Sequence, residues 1–136
     1  MAHLLPDVEA LLVAFLKGHP DVTALCHGRV YTDLPAKPTW PAVRLWRLSG
    51  DVPHRQYLGR PHVQVEAWGA DLAHRGQTRE LAATVQAALV DDLPGLHPLA
   101  AVGEVRTVLD IFCLTDPDTR QPYFVAEYAL TLHARM

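Results

Sequence analysis

Residues 62–89 read HVQVEAWGADLAHRGQTRELAATVQAAL, and two periodicities meet inside this one stretch. Val63, Val65 and Ala67 alternate with Gln64, Glu66 and Trp68, the period-two pattern of a strand with one apolar face. After Gly69 the period changes. Asp71 stands where a helix N-cap is wanted, and Thr78, Leu81, Ala82, Val85, Ala88 and Leu89 recur at helical spacing, predicting a helix over about residues 72–90. That stripe is built of small residues, which suits close packing on a sheet. Asp91, Asp92, Pro94 and Gly95 end it.

On the N-terminal side, DVEALLVAFLK (residues 7–17) places Val8, Leu11, Leu12, Phe15 and Leu16 at helical spacing, with Asp7 and Glu9 at the positive end of the helix dipole. Pro20 suits the first position of a second, short helix bearing Val22, Leu25 and Cys26, which stops near Gly28. Residues 29–31 have the composition of a brief strand. The segment DLPAKPTWP (33–41) has three prolines and is expected to be a loop leading into a strand over 42–49. Residues 50–61, GDVPHRQYLGRP, hold two glycines and two prolines among polar side chains. They are expected to form a long connection, mobile in the isolated subunit and ordered on assembly.

On the C-terminal side, two strands are predicted over about 103–114 and 122–133, separated by the turn-forming TDPDTRQP. In the first, Val105, Thr107, Leu109, Ile111 and Cys113 alternate with Arg106, Val108, Asp110, Phe112 and Leu114. Strands joined by loops favour antiparallel pairing. The expectation is a single domain over 1–136 of class α+β: a mostly antiparallel sheet of four to five strands with two main helices packed on one face. Its expected core includes Leu12, Phe15, Leu16, Val63, Val65, Leu81, Val85, Leu89, Leu109 and Ile111.

Composition narrows the function. The chain has 136 residues, 49% hydrophobic and 20% charged, ordinary values for one globular domain. Twelve basic and 15 acidic side chains leave a net charge of −3, which gives no long-range attraction to nucleic acid or an anionic membrane. The N-terminus lacks the pattern of a signal peptide, and no apolar run reaches the ~20 residues that span a bilayer. A soluble, cytoplasmically made domain is expected.

Chemistry-bearing patterns are sparse. The eight histidines (His3, His19, His27, His54, His62, His74, His97, His133) show neither i, i+4 nor i, i+2 spacing, so no metal is expected. Cys26 and Cys113 define neither a disulfide framework nor a thiolate site, and both read as buried spectators. The single serine, Ser49, lacks a nucleophile elbow, and Cys26 beside His27 is no dyad, because helix neighbours point about 100° apart. No glycine-rich phosphate loop appears. The chain is expected to be no enzyme and to carry no catalytic, cofactor-binding or metal residue. A more informative group is Trp40, Trp46, Arg55, Tyr57, Arg60 and Trp68, residue types enriched at protein–protein contacts. These six are candidate interface residues, although the same stripe fits a core face as well.

The order of the segments is also familiar. HPDVTALCHGRVYTDLP, then PTWPAVRLWRLSG, then RPHVQVEAWGADLAHRGQTRELAATVQAALVDDL and two closing strands resembles the tail terminator (tail completion, minor tail) family of long-tailed bacteriophages, over about residues 7–132. The resemblance implies an α+β structural protein that assembles as a homohexameric ring at the head-proximal end of the virion tail, after synthesis in the host cytoplasm. It implies three partners: further copies of itself, the major tail tube protein and a head-completion (neck) protein. It implies no membrane and no sequence-specific nucleic acid. The alternative from the residues alone is a non-catalytic accessory binding module that forms no ring.

Overall fold

The structure is a computed structural model, and it describes residues 4–55 and 57–134. Helix α1 (Val8–Gly18) starts where the sequence asks for it, since the Asp7 carboxylate accepts hydrogen bonds from the N–H groups of Glu9 (3.0 Å) and Ala10 (3.2 Å). Helix α2 (Pro20–Cys26) opens with Pro20 and closes at His27 and Gly28, both left-handed, with φ of 56° and 77°. Asp71 caps a 3₁₀ turn, Leu72–His74, from which α3 (Arg75–Ala87) continues. A π-helical turn, Ala88–Asp92, finishes α3 and carries Leu89 into the core.

Six strands form one mixed sheet: β1 (Val30–Tyr31), β2 (Ala42–His54), β3 (Leu58–Trp68), β4 (Gly95–Leu96), β5 (Ala100–Thr115) and β6 (Pro122–Ala134), in spatial order β1-β2-β3-β6-β5-β4. This corrects the expected four to five strands, and it adds one parallel pair. β1 runs parallel to β2, with Val30 opposite Val43, because the proline-rich segment does not turn back as a hairpin. That loop crosses over and is tied at both ends, by Arg29 Nε donating to the Pro41 carbonyl (2.8 Å) and Arg44 Nε donating to the Thr32 carbonyl (3.3 Å). The Trp40–Pro41 peptide bond is cis.

The expected loop over residues 50–61 is also corrected. β2 and β3 pair far beyond Ser49, with Gly50 opposite Pro61, Asp51 opposite Arg60 and His54 opposite Leu58. What looked like breakers are accommodated by geometry. Pro53 falls in the irregularity between Asp51 and His54, and Gly50 takes a φ of 138° open to glycine. Tyr57 N–H closes the turn on the His54 carbonyl (3.2 Å), and the Tyr57 carbonyl accepts from Ala134 N–H (3.0 Å). Gln56 lies outside the described residues.

The core lies between one sheet face and the helices. Val43, Leu45, Val63, Val65, Ala67, Phe124, Ala126, Tyr128, Leu130 and Leu132 meet Leu12, Leu16, Leu81, Val85 and Leu89 in one buried cluster. All six stripe residues of α3 and its π turn are buried, from Thr78 to Leu89. Phe15 and Ile111 are only half-buried against this cluster, and Cys113 is half-buried where full burial was expected. Leu109 is a clearer correction, at 39% exposed. Register shifts between Thr107 and Leu109 and between Leu109 and Phe112 break the alternation, so Leu109 pairs with Glu127 on the helix-free face.

Tyr128 is buried beneath α3 and hydrogen-bonds with the Gln86 side chain, whose amide donates to Asp110 (3.0 Å). Burial pushes its phenol up to about 12, assisted by the Asp110 charge. A folded value above the unfolded one, about 10, means the fold holds the proton more tightly. The resulting stability is complete below about pH 10 and is lost as pH rises through about 12. Denaturant titrations across that window should show a loss on the order of 3 kcal/mol, and Tyr128→Phe should remove most of the slope. An equal slope in Tyr128→Phe would assign it to another group.

Candidate assembly surface

The helix-free sheet face is where the predicted aromatic residues gather. Pairing places Arg44 opposite Glu66, Trp46 opposite Gln64, and Trp68 opposite Tyr123. Trp68 stacks on Tyr123 at 4.2 Å with 5° between planes, and Trp40 stacks on Trp68 at 5.9 Å. Glu66 organises the layer. Its carboxylate, buried at 5% exposure, accepts from Trp68 Nε1 (3.0 Å) and Gln64 Nε2 (3.3 Å) and sits 3.8 Å from the Arg44 guanidinium. Arg44 in turn lies 4.6 Å over the Trp46 ring. Trp40, Trp46 and Trp68 are each half-buried, so most of their contact is already within the chain.

Arg55 and Tyr57 lie elsewhere, at the tip of the β2–β3 hairpin. Trp46, opposite Gln64, is four residues from Arg60, roughly 13 Å along β3 at ~3.3 Å per residue, and Arg60 falls on the same alternation phase as Gln64 and Trp68, so Arg60 stands between the aromatic layer and the Arg55 and Tyr57 tip. At the tip Tyr57 is exposed and stacks on His54 at 3.7 Å. Arg60 is exposed opposite Asp51.

Sequence reasoning missed the apolar residues that face solvent along β5: Val108 (44% exposed), Leu109, Phe112 (38%) and Leu114. Leu48 and Val52 are exposed on β2. A signal was present, because β5 carries apolar residues on both alternation phases. Such a strand wants burial on both faces, and here helices cover only one. Beside it, an open groove is lined by Arg75, Arg79, Ile111, Phe112, Cys113 and Phe124, with Arg75 reaching over the Phe124 ring. A cleft of about 270 Å³ lies near the turn end of the hairpin, between Leu5, Val8, Val52, Pro61 and Leu132.

Elsewhere, two histidines pair with carboxylates. His19 Nε2 pairs with Asp92 (2.8 Å) and His74 Nδ1 with Asp71 (2.6 Å), whose carboxyl the His74 hydrogen bond holds below the usual range. Among the described residues, no three His, Cys, Asp or Glu side chains converge as a metal site, and no helix is long and apolar enough to cross a membrane. His3 lies outside the described residues. Burial raises the Cys26 thiol, keeping it protonated and unreactive.

The fold is similar to that of a chain in the virion of a native gene transfer agent particle, with a TM-score of 0.70, 15% identity, and coverage of 93% of this chain and 95% of that one. No curated protein sequence matches the chain. The model of the family described as tail completion protein gp17 matches residues 10–128, most of the length, and the chain therefore belongs to that family.

Proposed function

We propose that this protein is a tail terminator: a ring that caps the tail tube, stops its polymerisation and presents the surface that head-completion proteins join. Membership of the tail completion family, over residues 10–128, is the observation that carries this reading and makes the role structural. Likeness in fold to a chain of a gene transfer agent virion supports it.

The physical argument concerns size and symmetry. A domain of this length has a radius of gyration of about 14 Å, so one copy covers only a sector of a tube end. A cap must therefore repeat around the tube axis through a head-to-tail contact that closes, as a homohexamer does. Its partners are then further copies of itself, the major tail tube protein on one side and a neck protein on the other, at the head-proximal end of the tail. None of these contacts needs a catalytic step or a cofactor. Assembly takes place in the host cytoplasm.

Tails assembled without the protein should overrun their normal length or fail to join heads, and adding it back should restore joining. Electron microscopy of tail lengths and head attachment gives the measurement. Tails that stop and join heads unaided would replace this reading with that of an accessory binding module that forms no ring.

A further inference from the structure

Resting on the ring reading above, we infer that neighbouring copies join end to end, the leucine-bearing acidic loop over residues 91–99 of one copy seating in the arginine-flanked groove of the next. That groove lies between the first turns of α3 and the far ends of β5 and β6. Phe112 and Phe124 give it apolar walls, and Phe112 stays 38% exposed. Arg75 and Arg79, one helical turn apart, line its α3 side. Both are exposed, and among the described residues neither forms an ion pair. Asp110, beside the groove, accepts from the Gln86 amide and the Ile111 N–H and feels the Arg79 charge, which leaves Arg75 as the freer cation. The lining residues carry +2, or +1 when Asp110 is counted with them. Such a groove suits an apolar side chain with a carboxylate next to it.

Residues 91–99, DDLPGLHPL, present that combination. Leu96 is 75% exposed and Leu99 50%, yet the loop that carries them is tied in place. Gly95 and Leu96 pair with Val102 and Ala101, the His97 N–H donates to the Ala100 carbonyl (2.8 Å), and Leu93 is buried with its N–H on the Ala88 carbonyl (3.0 Å). An ordered loop that holds two leucines in water is already shaped for a partner. Its charge is −2 with no cation, and while Asp92 pairs with His19, Asp91 is exposed and unpaired.

Charge and position select this loop as the occupant. Groove against groove would oppose arginines, and loop against loop would oppose aspartates. On β6 the groove is level with Phe124, through Cys113, and the loop with Leu132, through Val102. Those eight residues span roughly 26 Å, and α3 with its π turn gives roughly the same length from Arg75 to Asp92. The patches therefore lie at opposite ends of the molecule. At the loop's end, the β2–β3 tip is basic, Asp7 caps α1, and Glu9 accepts from the Arg47 N–H. Two different patches at opposite ends make a head-to-tail contact, the kind that closes into a ring. Two leucines and a carboxylate cover far less than the roughly 1,000 Å² of a stable interface, so the contact closes on the tube end.

The test uses capped tails. In a Cys113→Ser background, which leaves Cys26 buried, Leu96→Cys is combined with Gly76→Cys, a groove position where an added Cβ meets open space. Mild oxidation should give a ladder on a non-reducing gel that ends at the hexamer, with none from either single variant. A second arm reverses charge. Asp91→Arg and Arg75→Asp should each keep the wild-type denaturant midpoint, because both sites are exposed, yet leave at least ten times fewer tails capped. Both reversals in one chain should restore capping to within about twofold. Capped, joined tails without the cross-link, or normal capping by both single reversals, would overturn the contact and leave the terminator reading intact. A ladder that stops at the dimer would mean reciprocal two-fold pairing and overturn it as well. Reversals that the double variant does not rescue, or Leu96→Cys cross-linked to a different virion protein, would seat the loop elsewhere and overturn it too. Tails that stop and join heads without the protein would remove the terminator reading and this inference together.

Discussion

Leu89→Ala is expected to cost about 3–5 kcal/mol, with Val85→Ala somewhat less. Leu89 is fully buried, and it sits on the π turn that ends α3 rather than on a regular helical turn. Its side chain belongs to the one cluster that joins α1, α3 and the sheet. Shortening it opens a void walled by elements that are themselves tied down, including Leu93, whose N–H donates to the Ala88 carbonyl (3.0 Å). Such a wall relaxes little, so the cavity cost adds to the lost transfer energy. Chemical denaturation followed by circular dichroism would read the change. A midpoint shift worth less than about 1 kcal/mol would mean that Leu89 does not occupy the core.

Gly50→Ala is the second large effect, and its cause is backbone geometry. A Cβ at Gly50 would overlap the carbonyl oxygen of Arg60 and come within 2.7 Å of the Pro61 Cα, both main-chain atoms that cannot rotate away. The residue also holds a φ of 138°, which an alanine adopts only at a cost of about 1–3 kcal/mol. Relief comes by splaying the β2–β3 hairpin from Gly50 to Pro61, so the damage should be local as well as global. Hydrogen exchange of the Asp51 and Arg60 amides should accelerate at least tenfold, while the core of β6 keeps much of its protection. Unchanged exchange at the hairpin would show that Gly50 does not lie against Pro61.

Much of the helical layer was legible in the residues. Asp7 and Pro20 mark the starts of α1 and α2, and the stripe from Thr78 to Leu89 is buried throughout. Local signals suffice there because capping and helical periodicity act over a few residues. The hairpin over residues 50–61 was misread for the converse reason. Glycine and proline are breakers in isolation, yet here Gly50 pairs in register with Pro61 at a positive φ and Pro53 sits in an irregular edge, and only the partner strand makes those conformations tolerable. The candidate interface shows the same divide. Trp40, Trp46 and Trp68 share one face, Trp40 by stacking on Trp68 from a loop that has no periodicity of its own, while Arg55 and Tyr57 are carried to the tip of a hairpin the residues did not announce.

What the sequence determined by itself is therefore the class of elements, the buried face of each helix and the family. These follow from periodicities and caps whose range is one or two turns, and from their order along the chain. The tertiary structure alone decided which edges of the sheet stay bare. β1 lies parallel to β2 because a crossing loop is held by Arg29 and Arg44, and β4 is only two residues long. Leu109 faces outward because two register shifts in β5 change its phase against β6. Pairing length and bulge position depend on contacts between residues far apart in the chain, and a strand's own side chains do not specify how much of its edge another strand will cover.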